Sequence, residues 1–293
     1  MMIQQILQEK KQLVDQYLAK LLTTTEPATQ TLYDSMNYSL LAGGKRIRPA
    51  LFLMALDFLR KPSAAYLDAA CAIECIHTYS LIHDDLPQMD NDDYRRGKLT
   101  NHKIYGAGMA TMAGDGLLTY AFTLLSEMKS VTPDIRCQLI ALLARAAGPE
   151  GMVGGQAQDI EAEHRQLTMN ALRTLDYYKT GRLLCVPLDM AAAAANAEHE
   201  TADAFHVYGL HIGYLFQITD DLLDATGSLE EMGKNPGQDQ IHNKATYASL
   251  AGLAGARKLA QEECDKAVHA VAQLGKRAEP FQELAMYLLH RTK

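Results

Sequence analysis

Apolar residues recur every three or four positions along almost the whole chain. Leu7, Val14, Leu18 and Leu21 mark one such stripe, and Leu139, Leu142 and Leu143 another, the repeat that one buried face of an α-helix requires. The period-two alternation of a half-buried strand is absent. Breakers interrupt the pattern at 23–29 (TTTEPAT), 60–64 (RKPSA), 131–134 (VTPD) and 232–239 (MGKNPGQD), where proline or glycine cannot carry a regular helix onward. The stretches between them run to about 15 to 25 residues, a length ordinary in helical bundles. No linker rich in proline, glycine and serine, no shift of composition and no repeat of about 20 to 50 residues divides the chain. The pattern predicts an all-α fold, one single-domain helical bundle over residues 1–293.

Composition then narrows the partners. With 48% hydrophobic residues among 293, the chain can bury a large core, and its formal charge of −7 argues against coating nucleic acid or an anionic membrane by overall charge. Small molecules are the expected partners. The opening segment MMIQQILQEKKQLVDQYLAKLL mixes charges into its apolar stripe, unlike a signal or transit peptide, and no run approaches the roughly 20 apolar residues of a membrane span. A soluble, cytoplasmic protein without stable membrane association is expected. The five cysteines, Cys71, Cys75, Cys137, Cys185 and Cys264, lack paired metal-ligand spacing and are expected to be reduced, buried thiols.

Two acidic motifs interrupt the helical pattern. SLIHDDLPQMDNDDYRRGK (80–98) places Asp84, Asp85 and Asp90 ahead of Arg95 and Arg96, and FQITDDLLD (216–224) ends in Asp220, Asp221 and Asp224. On a helix Asp220 and Asp224 lie about 40° apart after one turn, so they share a face and repel unless a cation intervenes. Pro87 cannot continue a regular helix, which requires Asp90 to return toward Asp84 on a loop. Facing each other across a cavity, the two clusters would offer the oxygen ligands that Mg²⁺ prefers. Basic residues complete the charge balance. In LLAGGKRIRP (40–49), glycines lead into Lys45, Arg46 and Arg48, a turn able to wrap a phosphate. Lys179, Lys234 and Lys244 stand near expected helix ends. Three Mg²⁺ would offset six carboxylates, these lysines would meet one diphosphate, and a second diphosphate could use the GGKRIRP loop and Arg96.

In their order along the chain, GGKRIRP, IHTYSLIHDDLPQMDNDDYRRGK, GGQAQDIEAE (keeping Gln156 and Asp159), YYKTG, FQITDDLLD and DQIHNKATY resemble the trans-prenyltransferase family, the isoprenyl diphosphate synthases. The resemblance implies a helical bundle around a deep central cavity, commonly homodimeric, and a Mg²⁺-dependent head-to-tail condensation, with about three ions per site and Mn²⁺ as a possible substitute. It implies that Asp84, Asp90 and Asp220 bind metal, with Asp85, Asp221 and Asp224 as inner or outer ligands. Arg95, Lys179, Thr180, Gln217, Lys234, Asp239 and Lys244 would hold the allylic diphosphate or its metals, dimethylallyl or geranyl diphosphate being the substrates. Gly44, Lys45, Arg48, His77 and Arg96 match the isopentenyl diphosphate site. His77 lies seven residues before Asp84 and so on nearly the same helix face; His83 reads as packing. Two departures stand out. Gln238 replaces a lysine many members carry, and Arg182 and Pro187 alter the segment after YYKTG.

Product length should depend on the residues one turn beneath Asp84. The small Ser80 beside Tyr79, with the two-residue insertion at Pro87 and Gln88, resembles the pattern of farnesyl (C15) formation, geranylgeranyl (C20) being the alternative. A class I terpene cyclase, needing no isopentenyl diphosphate, and a non-catalytic regulatory homologue are the rival classes. The basic loop with His77 opposes the first, and two intact aspartate motifs oppose the second.

Overall fold

The computed structural model describes residues 3–162, 165–226 and 245–291. Lys234, Gln238, Asp239 and Lys244, singled out from the sequence, lie outside them. Backbone contacts divide the chain into two compact units, Gln4–Ile140 and Ala141–Lys293. The described residues are overwhelmingly helical, as expected; their one sheet is a two-residue ribbon, β1 (Tyr94–Arg95) against β2 (Lys98–Leu99).

The first unit contains α1 (Ile3–Leu18), α2 (Gln30–Leu40), α3 (Ile47–Phe58), α4 (Leu67–Asp84), the short α5 (Asn101–Tyr105), α6 (Ala107–Ser126) and the start of α7 (Pro133–Ala147). The breakers at 23–29, 60–64 and 131–134 separate α1 from α2, α3 from α4 and α6 from α7; the other joints were not among those marked, and the breaker at 232–239 lies outside the described residues. α4 packs against α2, α3 and α6. Ala69, Ala70, Cys71, Ala72, Ile73, Cys75 and Ile76 have no exposed surface, and they occupy every direction around the helix, so α4 is apolar all round and buried. α6 meets it with the stripe Ala110, Ala113, Leu117 and Ala121, all fully buried. The small side chains let the two backbones approach, and each fully buried leucine or isoleucine contributes about 1.5–3 kcal/mol.

The second unit contains α8 (Met152–Ala162), α9 (Met169–Asp176), a π-helical turn at Tyr177–Gly181, α10 (Arg182–Ala195), α11 (His199–Thr226), α12 (Tyr247–Ala272, kinked at Gly252) and α13 (Glu279–Leu289). Along α11, Phe205, Tyr208, Ile212, Leu215 and Ile218 are fully buried at helical spacing. α12 begins with a capping box, the Thr246 hydroxyl accepting from Ser249 N and the Ser249 hydroxyl from Thr246 N, which satisfies otherwise orphaned amides. Pro187 is accommodated inside α10. Four cysteines are buried, whereas Cys137 is exposed, on the solvent side of α7. Among the described residues no helix is long and apolar enough to cross a membrane.

Candidate active site

α4 delivers the first aspartate motif. The helix ends at Asp84, and the loop after Pro87 turns back so that Asp90 N donates to Asp84 O at 2.9 Å, the return the proline demands. Asp84 and Asp90 are half-buried, while Asp85 is buried. Arg95 Nε donates to Asp85 at 2.6 Å, and Arg95 Nη2 reaches Asp92 at 3.2 Å. Burial pushes the Asp85 carboxyl up to about 6, against the pull of Arg95. His83 is spoken for by packing, its Nε2 lying 3.1 Å from Thr111 O on α6.

Arg95 and Arg96 are neighbours that turn apart. Arg96 has a left-handed backbone, φ 54, and its Nη1 donates to Gly43 O at 2.5 Å in the GGKRIRP loop. A Cβ on Gly44 would sit 2.8 Å from the Arg96 Cζ, and Gly44 itself has φ +113, so both space and backbone reserve that position for glycine. Lys45 is exposed and Arg48 half-buried. Arg48 Nη1 lies 3.4 Å from His77 Nε2. An arginine only donates, which makes this histidine nitrogen an acceptor. Burial, then Arg48, Arg96 and the other arginines, holds His77 well below its ordinary range, so it is neutral. A small pocket within this unit is lined by Thr78, Ile82, Asp85, Arg95 and Arg96, among others.

In the second unit the apolar stripe of α11 runs directly into the second motif. Asp221 and Asp224 continue the series Ile212, Leu215 and Ile218 at three-residue steps and are consequently buried, whereas the Asp220 side chain is 45% exposed. Asp221 is fixed through both oxygens: Gln217 Nε2 donates to Oδ1 and Tyr247 N to Oδ2, each at 2.9 Å. Thr180 in turn donates to Gln217 at 3.2 Å, which links the YYKTG turn to the aspartates. Lys179 pairs with Asp159 at 2.5 Å. The turn is wedged tightly. A Cβ on Gly155 of α8 would come within 2.6 Å of Lys179 Cα, and one on Gly213 of α11 within 2.8 Å of Gly181 Cα. The π-turn, a form enriched at functional sites, thus holds Lys179 and Thr180 against two backbones at once.

The donor set suits a hard divalent cation. Its oxygens are carboxylates, and Asp224 Oδ1 is buried with no hydrogen-bond partner among the described residues, a state a bound cation relieves. One sequence expectation is corrected here, and two contributors, Tyr247 and Arg291, escaped the sequence reading. Arg46, read from the sequence as one of three cations wrapping a phosphate, instead turns inward and is buried against Glu74, because that carboxylate supplies the counter-charge inside the unit. Tyr247 closes on Asp221, and its hydroxyl interacts with Asp176, which burial pushes up to about 7. Arg291, 3% exposed at its side chain, pairs with Asp220, donates to Phe216 O and lies 4.2 Å over the Phe216 ring. Tyr247 had a sequence signal, as the last residue of DQIHNKATY, whereas Arg291 had none; the inward turn of Arg46 and the placing of Arg291 depend on partners 28 and 71 residues away.

Residues 29–281 match the family described as Polyprenyl synthetase. A protein of Geobacillus stearothermophilus named farnesyl diphosphate synthase is 49% identical over 258 residues, which cover 87% of this chain and 86% of that one. One of the same name from Micrococcus luteus is 41% identical over 292 residues, covering 100% of both. Among solved structures, the apo form of an FPP/GFPP synthase from Zymomonas mobilis has a TM-score of 0.88 at 37% identity, over 98% of each chain. Because the matched span takes in every sequence motif described above, from the Gly43 loop to Tyr247, the chain belongs to the polyprenyl synthetase family.

Proposed function

We propose that this protein is a farnesyl diphosphate synthase, joining isopentenyl diphosphate head-to-tail to dimethylallyl and then geranyl diphosphate. The observation that carries this reading is the parting of Arg95 and Arg96. One arginine is committed to the aspartate motif and the next to the GGKRIRP loop, which is what two diphosphates held side by side would need; a cyclase ionises only one. The names of the relatives support the same activity.

In this reading Asp84, Asp90 and Asp220, with Asp85, Asp221 and Asp224 beside or behind them, hold divalent metal, Mg²⁺ by the chemistry of the donors and about three ions by charge. Bound there, the metal neutralises charge on the leaving diphosphate. Arg95, Lys179 and Thr180 hold and orient the allylic diphosphate, Gln217 keeps Thr180 and Asp221 aligned, and Lys234, Asp239 and Lys244 are assigned to the same group by motif. Gly44, Lys45, Arg48 and Arg96 hold the isopentenyl diphosphate, and neutral His77 accepts from Arg48 and keeps it aimed. The allylic C–O bond breaks with its electrons leaving on diphosphate. The isopentenyl double bond supplies the pair for the new C–C bond, and the proton lost from the resulting cation goes to the departed diphosphate. The protein contributes preorganised charge. Ser80, half-buried one turn before Asp84, leaves room beneath the motif, and the buried ring of Tyr79, edge-on to His83 at 5.7 Å, limits it, which supports a C15 product. By the same resemblance the enzyme is a homodimer.

The test is incubation of the purified chain with dimethylallyl and radiolabelled isopentenyl diphosphates, with and without Mg²⁺, followed by phosphatase treatment and chromatography. Farnesol as main product, only with metal, is expected. Hydrocarbon release from farnesyl diphosphate, or no dependence on isopentenyl diphosphate, would refute the assignment.

A further inference from the structure

The basic loop concentrates positive charge that something must hold together. Arg46, Arg48 and Arg96 gather around α4, and like charges this close repel. A single carboxylate answers two of them. Glu74, 1% exposed, receives Arg46 Nη1 at 2.5 Å on Oε1, and the same oxygen lies 3.7 Å from Arg96 Nη2. Arg46 is tied further to Asp15 at 2.9 Å and to Leu40 O at 2.6 Å, and it holds a left-handed backbone, φ 54, at the entrance to α3. Arg96 is less secured. It bonds Gly43 O and otherwise faces the repulsion of Arg46 and Arg95, with burial also opposing its charge; among the charges acting on it, Glu74 is the largest that favours it. Glu74 sits one turn before His77 on α4, so the same helix carries the histidine, the carboxylate and Asp84.

We infer that Glu74 is a positioning residue for the isopentenyl diphosphate site: it touches no substrate, but its charge locks the GGKRIRP loop, through Arg46, to the guanidinium of Arg96. The inference rests on the reading of Lys45, Arg48 and Arg96 as that site. Its rival is that Glu74 serves only as the counter-charge Arg46 needs to be buried, in which case its loss harms folding and not one substrate selectively.

Steady-state kinetics on Glu74→Gln, Arg96→Ala and the double variant separate these, with thermal unfolding alongside. Glu74→Gln is expected to raise KM for isopentenyl diphosphate about tenfold, the scale of a charge-assisted contact, while KM for geranyl diphosphate moves less than about twofold. Added to Arg96→Ala, it should raise the isopentenyl KM less than about threefold further, because residues acting through one another are not additive. Equal changes in both KM values, or a full tenfold increment on the Arg96→Ala background, overturn the inference. So does an Arg96→Ala enzyme with normal isopentenyl KM, which also removes the site assignment on which the inference stands. A rise with Arg96→Ala but none with Glu74→Gln sinks the inference and leaves the assignment intact. Should Glu74→Gln fail to fold, the paired change Arg46→Met with Glu74→Leu removes the buried charge problem, and a normal isopentenyl KM there overturns the proposal.

Discussion

Gly155→Ala separates the position of Lys179 from its chemistry. The added methyl meets the Lys179 amide nitrogen, and it would stand 2.6 Å from Lys179 Cα and 2.7 Å from Tyr178 C, whereas carbon atoms settle at about 3.5–4.0 Å. All of these are backbone atoms, so no side chain can swing aside, and α8 and the π-turn must part by about 1 Å. Overpacking of that kind costs about 1–3 kcal/mol. Replacing a helical glycine by alanine returns about 1 kcal/mol, which leaves a net loss of about 0–2 kcal/mol and a melting temperature lower by a few degrees. Activity should suffer far more. Displacing a positioning group by about 1 Å costs about 100-fold, so kcat/KM for the allylic substrate should fall by that order while circular dichroism stays native. Gly108→Ala is the control, since a Cβ there meets nothing within 4 Å, and it should leave kinetics unchanged. A Gly155→Ala enzyme with wild-type kcat/KM would refute the claim that the π-turn's placement matters, whatever its melting temperature.

Three further outcomes are expected. Asp84→Ala or Asp220→Ala should lower Mg²⁺-supported turnover at least about 100-fold with little change in melting temperature, because each is half-exposed, is proposed to hold the metal and is not a core contact; near-normal rates would end the metal assignment. Ser80→Phe should shorten the product to C10 and Tyr79→Ala lengthen part of it to C20 with modest changes in KM, since both act through volume; an unchanged chain-length distribution in both would mean that other residues form the floor. Asp176 keeps its proton to about pH 7 in the folded chain, against 3.8 as the ordinary value, so the unfolded chain binds fewer protons in that window and stability falls as pH rises from about 4 to 7. The ceiling is on the order of 4 kcal/mol. Asp176→Asn should flatten that slope in unfolding followed from pH 5 to 8, and an unchanged slope would show that the carboxyl is not protonated in the fold.

Helical class, the joints at 23–29, 60–64 and 131–134 and both aspartate motifs were legible along the chain because each depends on neighbours within about one or two turns. Period, proline and local charge are all short-range signals. The return of Asp90 to Asp84 belongs with them, since Pro87 left the loop no other course. What only the folded chain decided was the direction of chemically similar side chains. Arg46 and Arg48, two positions apart at the start of α3, differ in that the first turns inward to Glu74 and the second lies against His77; Arg95 and Arg96, adjacent in sequence, divide between Asp85 and Gly43. The second motif sorted its aspartates likewise, Asp221 and Asp224 falling on the buried stripe of α11 and Asp220 beside it, where Arg291 reaches it across 71 residues. A helix fixes the angle at which a side chain leaves the backbone, but a long cation takes its final place from the burial and counter-charges that distant segments bring, and those are set only once the helices have packed.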